Sequence, residues 1–211
     1  MATSNDSSVG PPDFSEAWMF SDVVLVVEDQ KFHVHRFVLA LWSPVFKMMF
    51  TSEFKEKRLY EIPLPDKKAS EIKKLLLIIY PTVSEKGWES VTNDNCYFLF
   101  KLADEYQMDT IKQRCEDFLV KKVTSAVGNT FLNELRFAQT HKSEKLVQTI
   151  VDKAVCELRL DDFKSHAMYN EIEPDIYKQI VEGMIKKYEN SGLGPVVAPL
   201  SFMKPPLFGL G

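Results

Sequence analysis

Cysteine is scarce. The 211 residues hold three, Cys96, Cys115 and Cys156. They are widely spaced, and each lies within a helical pattern. An odd, dispersed set of this kind argues against a disulfide framework and for a reducing compartment, cytoplasmic or nuclear. Each reads as a small buried apolar residue. Glycine is scarce too: eight residues, four of them from Gly192 onward. Little is left for a phosphate-cradling loop. A long apolar run is also missing. The longest, Leu75 to Tyr80, is far below the roughly 20 residues that span a bilayer. The opening residues MATSNDSSVGPPD lack the basic start and apolar run of a secretory signal. The net charge of −4 is too small and of the wrong sign for a general attraction to nucleic acid or anionic membrane. Lysine pairs such as Lys67-Lys68 and Lys186-Lys187 are mixed with acids and read as solvated helix faces. No nucleophile elbow, nucleotide loop or metal quartet is visible. No enzyme activity, cofactor, metal or small-molecule ligand is expected.

What is present divides into segments. Residues 1–12 are rich in Ser, Asn, Gly and Pro and read as disordered. Phe14 to Phe20 form a helical or extended lead-in with a large apolar load, Phe14, Trp18 and Phe20, which must pack on the body or on a partner. Val23 to Val27 (VVLVV) is a β-branched run that predicts a strand buried on both faces. Lys31 to Val34 follows after a short polar connection, which predicts a hairpin. Arg36–Trp42 and Pro44–Phe50 read as two short helices, the second capped by Ser43 with Pro44 at its first position. A third strand is expected over Arg58–Leu64. Asp66 is expected to cap a helix carrying Ile72, Leu75, Leu76, Ile79 and Tyr80 inward, ended by Pro81. Asn93 or Asp94 opens the next helix, and Asp109 caps one running from Thr110 to about Val123. After Thr124-Ser125 the pattern is wholly helical. It predicts helices over Val127–Thr140, after Ser143, at Asp161-Asp162 and after Glu173-Pro174. The Gly- and Pro-rich segment 190–211 has no periodicity and reads as an unfolded tail or an added peptide.

The sequence Phe32-His33-Val34-His35-Arg36-Phe37-Val38-Leu39-Ala40, with Asp22 before it and Ser43, Phe46 and Met49-Phe50 after it, resembles the BTB (POZ) domain. Glu61-Ile62-Pro63-Leu64, Leu77-Ile78-Ile79-Tyr80, Leu102-Ala103-Asp104-Glu105-Tyr106 and Cys115-Glu116-Asp117-Phe118-Leu119 continue the likeness in order. The phrases Ser52-Glu53-Phe54-Lys55-Glu56 and Ile79-Tyr80-Pro81-Thr82 look most like BTB domains of invertebrate proteins that also carry a MATH domain. No MATH domain, Kelch repeat or zinc finger is visible in these residues. The resemblance implies an α+β fold: a small three-stranded sheet flanked by helices over 13–123, followed by a BACK-like helical extension over 124–189.

The resemblance also carries the functional expectations. It implies a two-fold homodimer, its interface built from Phe14, Trp18, Met19, Phe20, Asp22, Arg36, Leu39 and Trp42. Enrichment in aromatic residues and Met fits an interface core. Asp22 and Arg36 are a candidate ion pair, which either fixes the strand to the helix or shapes a pocket at the dimer seam. His35 reads as a satisfied core residue, and His33-x-His35 lacks a third ligand for a metal. In cullin-3 adaptors an apolar-x-Glu triplet follows the Phe46 helix; here that position is held by Phe54-Lys55-Glu56. An anchoring aromatic beside a charge is the chemistry of a hot spot. Tyr80 is the other expected contributor to that surface. The implied function is a homodimeric, non-catalytic adaptor that binds the cullin-3 N-terminal domain and an unidentified substrate protein. A BTB scaffold or corepressor-type module without ligase function is the alternative.

Overall fold

The computed structural model describes residues 12–51, 59–80 and 89–191. Two compact units divide the chain, 1–115 and 116–211. The boundary falls within the helix Asp109–Ser125.

In the first unit, β1 (Val23–Val27) pairs antiparallel with β2 (Gln30–Val34) and parallel with β3 (Glu61–Pro63), giving the order β2-β1-β3. The continuous β-branched run takes the central place, where a strand is covered on both faces. Val23, Val24, Leu25 and Val27 are buried. Pro63, which has no N–H for a ladder, stands in the edge strand β3. The expected third strand is shorter than read, three residues against seven. Arg58 lies outside the described residues, and Leu59 and Tyr60 precede the strand.

Helices α1 (Arg36–Trp42) and α2 (Pro44–Thr51) follow β2. Ser43 caps α2 as expected: its Oγ accepts the Phe46 amide at 3.1 Å and donates to the Tyr106 carbonyl at 2.6 Å. Helix α3 (Ala69–Ile79) buries Ile72, Leu75, Leu76 and Ile79. Its expected cap, Asp66, is two residues too early, since Lys68 holds the cap position. Asp66 sits in a turn at φ 60°. The Glu28 carboxylate, from the β1–β2 turn, instead accepts the Ala69 amide at 2.9 Å. An acid at a helix N-terminus serves the same orphan donors wherever it lies in sequence. Helix α4 (Cys96–Glu105) starts after Asn95, whose Oδ1 accepts the Thr92 amide at 2.7 Å, so the start falls beyond Asn93 and Asp94. Helix α5 is Asp109–Ser125.

In the second unit a 3₁₀ turn (Thr130–Glu134) leads into α6 (Leu135–Thr140), where one continuous helix was expected. Then come α7 (Glu144–Glu157), α8 (Leu160–Ser165), a 3₁₀ turn (Ala167–Glu171) and α9 (Pro174–Asn190). Ser143 caps α7 by accepting the Leu146 amide at 3.4 Å. Lys153 is nearly buried, yet its ammonium is satisfied by the Thr124 carbonyl and the Glu157 carboxylate, both at 3.0 Å. Cys96 and Cys115 are buried, but Cys156 is exposed, against expectation. It lies on the solvent side of α7, while Ala154 faces the core. Among the described residues no helix is long and apolar enough to cross a membrane, and no cluster of three His, Cys, Asp or Glu is placed to hold a metal.

Candidate protein-interaction surface

The lead-in 12–21 forms turns rather than a regular helix, and it is tied to the outer edge of β2. The His33 amide donates to the Phe14 carbonyl at 2.8 Å, and the Trp18 indole N–H donates to the His33 carbonyl at 2.8 Å. An open sheet edge is thus partly closed by the chain's own segment. Phe14 is fully buried and meets Tyr80 edge to face at 5.1 Å; Trp18 packs on His35 at 4.8 Å.

Tyr80, the C-cap of α3, is the hub of this arrangement. Its hydroxyl accepts the backbone amide of His35 at 2.7 Å and lies 3.1 Å from His35 Nδ1, while His35 Nε2 lies 2.8 Å from the Met19 carbonyl. One assignment satisfies all three contacts: Tyr80 donates its proton to Nδ1, and Nε2–H donates to Met19. Burial pushes the Tyr80 hydroxyl far above its ordinary range, so it stays a donor. His35 is therefore satisfied, as expected, though it is half-buried rather than deep in the core.

Asp22 and Arg36 come together by a different bond from the one expected. Asp22 Oδ1 accepts the Arg36 backbone amide at 2.7 Å, which caps α1 from fourteen residues upstream. The Arg36 guanidinium lies 4.9 Å over the Phe50 ring and donates to the Leu59 carbonyl at 2.5 Å. The pair fixes strand to helix and also holds the approach to β3.

These ties leave apolar side chains outside. Met19 is 71% exposed, Phe20 86%, Phe37 76% and Leu41 70%. Phe37 and Leu41 are one turn apart on α1 and so share a face. Phe20 also has φ 64°, a conformation unfavourable for a bulky residue by about 1–2 kcal/mol. An exposed aromatic on a strained backbone is doubly costly in an isolated chain, which marks this turn for function. Of the expected dimer residues, Met19 and Phe20 lie open, and Trp18 and Trp42 are half-buried. Phe14 and Leu39, each 1% exposed, are spent on the chain's own core. As the fold stands they support a surface rather than form one. Phe37 escaped the sequence reading. The available signal was its place on a seven-residue helix whose opposite side must hold Leu39. Tyr80, 2% exposed, also offers no side-chain surface; it holds His35 and the lead-in. Phe54, Lys55 and Glu56 lie outside the described residues.

The model of the BTB/POZ domain family matches residues 13–123, more than half of the chain. The chain belongs to the BTB/POZ domain family. It is similar to two Caenorhabditis elegans proteins, BTB and MATH domain-containing protein 38 (38% identical over 99 residues, 47% of this chain and 24% of that protein) and protein 36 (28% over 170 residues, 81% and 50%). It is also similar to human Kelch-like protein 7, at 25% identity over 198 residues, covering 85% of this chain and 32% of that protein. The chain thus spans a quarter to a half of the length of these curated relatives. The solved BTB domain of human gigaxonin matches at 20% identity and a TM-score of 0.39, over 47% of this chain and 77% of that one. The expected kinship with BTB proteins that carry a MATH domain is borne out, and so is the fold: the BTB fold of a small three-stranded sheet with helices, followed by further helices.

Proposed function

We propose that this BTB chain is a homodimeric, non-catalytic adaptor that brings a substrate protein to a cullin-3 ubiquitin ligase. The observation that carries the reading is the set of exposed apolar side chains Met19, Phe20, Phe37 and Leu41, beside a hydrophobic core that is already closed. Fully burying an aromatic or aliphatic side chain contributes about 1.5–3 kcal/mol. Four such residues, doubled by two-fold symmetry, give a gross term of about 12–24 kcal/mol. Association costs about 4–15 kcal/mol, so burial of these side chains offsets it over most of that range. The likeness to adaptor-type BTB proteins supports the cullin assignment, with Phe54 as apolar anchor and Glu56 as its charged neighbour, in the connection between α2 and β3. Residues 124–189 are assigned as a BACK-like extension. The chemistry belongs to other subunits; the adaptor supplies proximity and bivalence. The cytosol or the nucleus is the compartment that suits this role.

The test is light scattering of the full chain, alone and with the cullin-3 N-terminal domain. A dimer that takes up cullin, and loses it on Phe54→Ala with Glu56→Lys, is expected. A dimer that ignores cullin leaves a BTB scaffold and sinks the ligase reading.

A further inference from the structure

We propose that the groove at the C-terminal ends of α7 and α9 is a docking site for the chain's own segment 192–211, seated through Val196 and Val197. The groove has a volume of about 270 Å³, far more than the roughly 30 Å³ share of one water. Its floor is apolar: Leu158 and Met184 are buried, Val155 is half-buried, and Tyr188 is 41% exposed at the mouth. Helix packing makes the groove. At Gly183 the two helices approach so closely that a Cβ would lie 2.5 Å from Val155 Cγ2. Beyond that point α7 ends at Glu157, while α9 continues to Asn190.

The charges at the groove do not ask for an ionic ligand. The Lys187 ammonium donates to the Val155 carbonyl at 3.0 Å and the Cys156 carbonyl at 2.5 Å. It is thereby committed to the orphan C-terminal acceptors of α7. Glu157 and Arg159 carry opposite signs. The occupant that fits is uncharged and apolar.

The chain supplies such an occupant at the groove itself. Ser191 is one of the lining residues. The residues that follow it, GLGPVVAPLSFMKPPLFGLG, contain one charge, Lys204, and are otherwise apolar, Pro or Gly but for Ser201. Gly192 and Gly194 permit the sharp reversal that returns Val196 and Val197 to the groove. Pro195 and Pro199 flank the two valines and lower the entropy lost on docking. A tether this short gives an effective concentration in the millimolar range.

The exposed Cys156 stands between two lining residues and serves as a probe. Cys96 and Cys115 are buried, and burial pushes the Cys115 thiol up to about 12, so a nitroxide reagent at neutral pH marks Cys156. In the full chain, the label is expected to erase the methyl signals of Val196 and Val197 while sparing Leu210, with Val197→Asp restoring those of Val196. Without any label, amide exchange at Leu158 and Arg159 is expected to be about tenfold slower in the unaltered chain than in Val196→Asp/Val197→Asp, equal to about 1.4 kcal/mol of docking. Signal loss that merely fades with distance from Ser191, or exchange that the double variant leaves unchanged, overturns the proposal. Broadening seen only between labelled and unlabelled chains in a mixture also overturns it, and makes a second copy the occupant.

Discussion

His166 shows how one side chain can tie stability to pH. Its Nδ1 accepts the Met168 amide at 3.2 Å and caps the 3₁₀ turn Ala167–Glu171. That bond needs the neutral ring, and burial lowers the His166 pKa below its ordinary 6.5. The folded state therefore binds fewer protons than the unfolded state as pH falls past 6.5. Stability from this group is complete above that value and declines from there down to the depressed folded value. Denaturant midpoints at pH 7.5 and 5.5 check this. His166→Gln, which keeps an acceptor but does not titrate, is expected to lose less midpoint on acidification than the unaltered chain. An identical loss in both assigns the pH response elsewhere. Much at this scale was legible beforehand. Ser43 and Ser143 were readable as caps because each serves an amide three residues on. Glu28 was not, because it caps Ala69 across 41 residues. Tyr80 was readable as a helix end, but its hydroxyl's partner, His35, lies 45 residues away.

Helices are read from period, and the period held wherever one helix face meets the core. It failed over 127–140. There Phe131, Leu132, Leu135 and Ala138 are all buried, as the spacing required, yet the segment turns as 3₁₀ before α6 begins. Gly128 at φ 68° breaks the start. The buried Glu134 is held by Lys122 at 2.8 Å, a contact from outside the segment that no local period records. The pairing of α7 with α9 hangs similarly on one position. Gly183→Ala adds about 1 kcal/mol of helix propensity, but the new Cβ meets Val155 at 2.5 Å, and valine is stiff at χ1. Overpacking of this kind costs about 1–3 kcal/mol, so a net loss of up to about 2 kcal/mol is expected in denaturant unfolding. Val155→Ala in the same chain is expected to relieve most of the strain, which a double-mutant cycle reads as favourable coupling. A Gly183→Ala chain at least as stable as the original would show that the helices have room to part.

At the scale of the molecule, the decisive surface was half legible. The aromatic lead-in and α1 were readable as a seam because they carry more apolar groups than a small domain hides. Which side chains stay outside was set by the fold. Phe14 and Leu39 turned inward, and Phe37 and Leu41 did not. This assignment predicts a clean separation of assembly from folding. Phe20→Asp with Phe37→Glu changes two side chains that are 86% and 76% exposed in the single chain. At Phe37 such a substitution shifts the chain's own stability by about 0.5 kcal/mol or less, and at position 20 Asp tolerates the positive φ better than Phe does. Placed across a two-fold seam, the same changes set carboxylates against apolar groups and against each other, and unpaired buried charge is strongly unfavourable. Light scattering is expected to give twice the chain mass for the original and the single mass for the variant, with matching far-ultraviolet circular dichroism. The variant's own melting point, compared with that of the original at dilutions where the dimer has dissociated, is expected to agree within a few degrees. A variant that remains dimeric moves the seam to another face. An original that is monomeric at every concentration leaves Met19, Phe20, Phe37 and Leu41 to a different protein and defeats the homodimer.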